Sequence, residues 1–253
     1  MADDDVVLLE VADRVATITL NRPEARNALS GAVQRLLPAL VTEAEERDDV
    51  DAMILTGADP AFCAGVDLKE LGSGTSSAAV GSSFGKPFPP HTKPLIGAIN
   101  GVTVTGGLEL ALNCDFLIAS ERAKFGDTHS RVGIQPGWGL TVLLPQAVGV
   151  RRAREMSFTG NFVGADQALV WGLVNHVVPH DELLPTARRL ALDIAGNDQA
   201  GVRALRETYE MIHGNPDGWA IEGERSVLWL RERFDPATVA ERRAAIAERG
   251  RAQ

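Results

Sequence analysis

Residues 6–21, VVLLEVADRVATITLN, hold two short apolar-rich runs around a turn at Ala12–Asp13, a pattern that predicts a β-hairpin. From Ser30 the period changes to that of a helix. In SGAVQRLLPALVTEAEER the apolar residues Val33, Leu36, Leu37, Leu40 and Val41 share one face and Ser30 is a candidate N-cap. Pro38 inside that pattern predicts a kink or a shortened first part. DAMILTG (51–57) and KPLIGAIN (93–100) are continuous apolar runs closed by turn residues, as expected of buried strands. Between them LGSGTSSAAVGSSFGKPFPP (71–90) has the composition of a mobile surface loop, and its place in the chain also suits a flap over a ligand. Beyond residue 140 helical segments dominate, at LTVLLPQAVG, RRAREMSFTG, ADQALVWGL, DELLPTARRLALDIAG, QAGVRALRETYEMIHG and PATVAERRAAIAERG, with one strand at VNHVVP. No internal repeat of fixed period is visible. The order predicts a βα-rich catalytic core followed by a helical appendage.

Three segments carry candidate chemistry. In FCAGVDLKE (62–70) a small-Gly-small turn leads from a strand into a helix start, where backbone N–H groups can receive an anion or a developing oxyanion. Such turns are common, so this one alone decides little. INGVTVTGGLELAL (99–112) repeats the arrangement: Gly106 and Gly107 would allow a substrate close to the backbone, and Glu109 falls in the first helical turn. A first-turn carboxylate often faces water, but Leu108, Leu110, Ala111 and Leu112 surround this one with apolar neighbours. In FGDTHSRVGIQPGWG (125–139), His129 and Arg131 precede a glycine-rich stretch and a helix. A lone histidine is commonly structural, yet one beside a ligand-facing loop can exchange protons near neutral pH.

Composition narrows the classes. With 253 residues and 45% hydrophobic content the chain can bury a large core, and 23% charged residues is ordinary for a globular protein. A formal charge of −9 without a lysine-rich run argues against nucleic acid as a partner, although a local cluster of donors could still hold an anionic cofactor. Cys63 and Cys114 stand in apolar surroundings and read as buried free thiols in a reducing compartment. The acidic start MADDDVV lacks a signal-peptide pattern and no apolar run reaches membrane-spanning length, so a cytoplasmic enzyme or binding protein without membrane insertion is expected. A Walker A sequence and a G-x-S-x-G elbow are absent, and GSGTSSAAVG is poorly placed for a dinucleotide fingerprint. His176 and His180 fall at a strand end rather than on a helix, and no metal site is expected.

Taken together, NRPEARNAL, AFCAGVDLKE, PLIGAINGVTVTGGLELALNCDFLIAS and FGDTHSRVGIQPGWG, in this order and spacing, resemble the enoyl-CoA hydratase/isomerase (crotonase) superfamily. The similarity runs from the first hairpin to about residue 195. It implies an α/β fold, a spiral of ββα units over residues 1–195, with a helical C-terminal region over 196–253 that mediates trimers or dimers of trimers. It implies an acyl-CoA thioester as substrate, with coenzyme A part of that substrate and no separate cofactor. Motif matching makes the backbone N–H groups of Val66 and Gly106 the oxyanion hole. It assigns Ala25, Arg26, Ala64, Asp67, Leu68, Lys69, Gly107 and Gly137 to substrate and CoA binding, with Lys69 and Arg26 as counter-charges to phosphate.

Hydratases of this family add water across the 2,3 double bond with two glutamates. Glu109 matches the first; where the second would stand, FGDTH places His129. The expectation is therefore enoyl-CoA hydration in fatty-acid or related acyl-CoA metabolism, with Glu109 as principal acid/base and His129 assisting. Asp127, two residues earlier, is a carboxylate that motif matching points elsewhere. The alternatives are another reaction of the family (isomerase, hydrolase or decarboxylase) or acyl-CoA binding with little turnover.

Overall fold

A computed structural model describes residues 5–67, 70, 86–133, 135–212 and 232. Strands β1 (Val7–Ala12) and β2 (Val15–Leu20) form the expected hairpin, Ala12 opposite Val15. The turn is Asp13–Arg14, one residue later than expected, with both residues at positive φ (49° and 65°). A two-residue loop matching the strand twist needs that geometry, and buried Asp51 holds the Arg14 guanidinium.

Helix α1 (Gly31–Glu46) begins with the Val33 N–H donating to Ser30 Oγ at 3.4 Å. It runs through Pro38 without ending, contrary to the shortening expected. An interior proline costs about 3 kcal/mol. Burial of Val33, Leu37, Val41 and Ala44 on one face outweighs it, since each larger side chain contributes roughly 1.5–3 kcal/mol. At the other end, buried Lys93 donates through Nζ to the carbonyls of Ala44 (2.9 Å) and Arg47 (2.6 Å), closing the last turn.

The remaining strands alternate between two sheets. β3 (Ala52–Gly57), β5 (Leu95–Ile99) and β7 (Phe116–Ser120) join a six-stranded sheet in the order β1-β2-β3-β5-β7-β10, with β10 at His176–Val178. Their immediate successors β4 (Ala61–Cys63), β6 (Val102–Val104) and β8 (Lys124–Gly126) pair in a second sheet, closed by β9 (Val163–Gly164). The β5–β6 pair leads into α2 (Gly106–Leu112), and β7–β8 into the single turn α3 (His129–Val132). This is the ββα spiral the resemblance implies.

Residue parity divides the large sheet's two faces. Met53, Leu55, Leu95, Ile99, Leu117 and Ala119 join the main core with α1, α2 and the small sheet. Ala52, Ile54, Ile96, Ala98 and Ile118 face Leu183, Ala187 and Ala191 of α7 (Leu183–Ala195). Helices α4 (Leu140–Val148), α5 (Val150–Thr159), α6 (Ala165–Trp171) and α8 (Gln199–Ile212) complete the set expected after residue 140, except that PATVAERRAAIAERG lies outside the described residues. The chain divides into two compact units, residues 1–203 and 204–253. Among the described residues no helix is long and apolar enough to cross a membrane.

Candidate active site

Two turns, one after β4 and one after β6, meet at the N-terminal end of α2. In the first, the Leu29 N–H donates to Gly65 O (2.8 Å) and the Asp67 N–H to Leu29 O (3.2 Å). Leu29 thus bridges Val66 in parallel fashion and turns the Val66 N–H to the opposite side. The segment before it is bound to the same turn. The Ala64 N–H donates to Arg26 O at 3.0 Å, and Arg22 Nη1 donates to Ala28 O (2.7 Å) and Asp67 Oδ2 (3.0 Å). Asn27 reinforces the joint through Nδ2, donating to Ala58 O (2.8 Å) and Ala61 O (2.6 Å).

The second turn packs directly on the first. Gly65 (φ 82°) has no room for a side chain, because a Cβ there would lie 2.0 Å from Thr105 Oγ1. A Cβ on Gly106 would lie 2.9 Å from Leu29 Cδ1, 3.7 Å from the Trp138 ring and 3.9 Å from Gly65 Cα. A Cβ on Gly107 would lie 2.3 Å from Cys63 O, so the backbone that approaches this glycine is β4. Gly106 opens α2, where an N–H has no intrahelical acceptor. Among the described residues neither Val66 nor Gly106 donates its N–H to any acceptor. Two unspent donors on turns in contact are what an oxyanion requires.

One turn along α2, Glu109 is buried. Its Oε1 accepts from the backbone N–H groups of Gly137 (3.1 Å) and Trp138 (2.7 Å). Asn113 ties that segment down, donating from Nδ2 to Trp138 O (2.9 Å) and Glu109 O (2.8 Å). The other oxygen, Oε2, faces Nε2 of His129 at 3.5 Å. That exceeds an ordinary hydrogen bond, so both atoms keep capacity for a reacting group.

His129, also buried, has a second carboxylate behind it: Asp127 Oδ1 accepts from His129 Nδ1 at 2.6 Å and from the His129 backbone N–H at 3.1 Å. Burial alone would lower the affinity of the imidazole for its proton. The hydrogen bond to Asp127 and the nearby charges of Glu109 and Asp127 outweigh it and lift the pKa to about 9. Burial opposes the charge on Asp127 too, but bonds from His129 and Ser157 hold that carboxyl below its usual range. At neutral pH the imidazole therefore keeps its proton, held by Asp127 at Nδ1 and with Nε2–H turned to Glu109.

The match to known proteins is broad. The model of the family described as enoyl-CoA hydratase/isomerase matches residues 10–248. The chain belongs to the enoyl-CoA hydratase/isomerase (crotonase) family. It is 41% identical over 202 residues to a probable peroxisomal enoyl-CoA hydratase of Arabidopsis thaliana, covering 76% of this chain and 73% of the relative. Among solved structures it is similar to an enoyl-CoA hydratase from Mycobacterium smegmatis, at 53% identity and TM-score 0.77 over 89% of this chain and 98% of that one. A second, from Mycobacterium tuberculosis H37Rv, gives TM-score 0.85 at 33% identity over 96% of each chain.

Around the N-terminal end of α2 the structure brings together Val66, Gly106, Glu109, His129 and Gly137. Ala25 and Arg26 lie beside them through the bond to Ala64, with Arg26 exposed. Asp67 is buried against Arg22, bracing the first turn. Leu68 and Lys69 lie outside the described residues, as do residues 71–85 of the candidate flap. Sequence reasoning set Asp127 aside, and the D-x-H spacing to His129 was its one signal. It also missed Asn113 and the Trp138 N–H, since a backbone donor has no residue-type signature. Among the described residues no group of three or more His, Cys, Asp or Glu could hold a metal ion.

Proposed function

We propose that this crotonase-family chain hydrates a 2-enoyl-CoA thioester. The observation that carries the reading is the opposition of Glu109 Oε2 and His129 Nε2 at 3.5 Å, one turn of α2 from the unspent Gly106 N–H. The thioester oxygen accepts from Val66 and Gly106 N–H. Water attacks C3, and Glu109 Oε2 takes its proton while the C2=C3 electron pair shifts to the thioester oxygen as an enolate. When the enolate collapses, His129 Nε2–H delivers its proton to C2. Glu109, now protonated, returns a proton to the neutral imidazole it faces, and both groups are restored. Each oxyanion donor is worth about 10²–10³ in rate, and positioned acid–base groups about 10²–10⁴.

Membership in the family supports acyl-CoA substrates, and the same likeness supports assembly as a homotrimer or a dimer of trimers. The test of the reaction is a two-channel assay with crotonyl-CoA: loss of enoyl-thioester absorbance and release of free thiol, followed together. Absorbance loss without thiol is expected. Thiol release at an equal rate would instead indicate hydrolysis, and acyl-CoA binding with neither signal would indicate a binding protein.

A further inference from the structure

The second catalytic carboxylate of a two-glutamate hydratase site is replaced here by a pair rather than a single residue. We propose that Asp127 is the positioning residue of that pair: it fixes the ring of His129 with Nε2 toward the substrate and keeps the ring charged, so that an Asp–His dyad stands in for a carboxylic acid. This inference rests on His129 being the general acid of the reading above.

Three observations carry it. Asp127 Oδ1 receives both the His129 ring Nδ1–H (2.6 Å) and the His129 backbone N–H (3.1 Å), so side chain and main chain are gripped by one oxygen. The grip leaves Nε2 directed at Glu109 Oε2, 3.5 Å away. The charges that face the ring are Asp127, from the junction of β8 and α3, and Glu109, from α2; Ser157 of α5 faces it only through its bond to Asp127. Arg131, on the same short helix, turns instead to Thr159 O and Asn161 Oδ1, so it pairs with neither carboxylate. A lone buried imidazole would lose its proton near or below neutrality and make a poor acid; two flanking anions reverse that. The carboxylate nearer the ring is Asp127, by 2.6 Å against 3.5 Å.

The experiment is an NMR titration of the full chain with labelled histidine, run on the wild type, Asp127→Asn and Asp127→Glu, beside the pH profile of kcat for crotonyl-CoA. In the wild type the His129 ring is expected to carry protons on both nitrogens at pH 7. In Asp127→Asn its titration should move toward acid by at least about one unit, with kcat at pH 8 lower by about tenfold or more and KM changed by less than about threefold. The alkaline limb of kcat should move with the ring, and Asp127→Glu should restore part of both shifts. A ring titration unchanged in Asp127→Asn would overturn the role of Asp127 while leaving the hydratase reading intact. A ring that shifts while the kcat limb stays would overturn His129 as the acid, and the catalytic role of Asp127 with it. Should neither variant fold, a wild-type ring carrying one proton at pH 7 would by itself overturn the proposal.

Discussion

Thr105 sits at φ 48° and ψ −119°, a conformation that strains a β-branched residue by about 1–3 kcal/mol. The peptide that follows it carries the Gly106 N–H, so the strained torsions aim the second of the two donors proposed to hold the thioester oxygen. Gly65 must remain without a side chain for that turn to seat, since a Cβ would meet Thr105 Oγ1. Gly65→Ala should therefore lower kcat by about 10²–10³ in steady-state kinetics, the loss expected of one oxyanion donor. His129 gives a second prediction at this scale. Its folded pKa, about 9, stands above the ordinary 6.5, so the stability it contributes is full below pH 6.5 and is lost as pH rises through about 9. Urea midpoints should fall across that window in the wild type and fall less in His129→Gln.

At the scale of elements, Lys93 is the clearest dependence of a helix on a distant residue. It closes the C-terminal turn of α1 from the start of the β5 segment. Lys93→Met would leave two carbonyls without their donor, and thermal unfolding should show a loss of about 1–3 kcal/mol. Elements with a strong period were legible from sequence: the hairpin, β3, β5, α1 and the helices after residue 140. The three-residue strands β4, β6 and β8 were not, because each is too short to show alternation and is defined only by its neighbours. The small sheet they build was therefore readable only through the family resemblance. The site divides the same way. Glu109 announced itself as a charge among leucines, and His129 as a departure from a motif. Asp127, Asn113 and the Gly137–Trp138 amides act through spatial pairing, as does the Arg22–Asp67 bond between the two sequence motifs it joins.

The ββα spiral brings successive turns together, so that backbone N–H groups of the β4 and β6 turns, Glu109 of α2 and His129 at the β8–α3 junction lie in one region. If the chain assembles as its family resemblance implies, light scattering should return three or six times the mass of one chain; the mass of a single chain would contradict trimers. The central claim is that Glu109, held through Oε1 and facing His129 through Oε2, activates the water added to a 2-enoyl-CoA. Crotonyl-CoA hydration by purified Glu109→Gln tests it most directly. The account predicts a kcat lower by about 10²–10⁴ with folding and acyl-CoA binding retained. Hydration at the wild-type rate in that variant would contradict it.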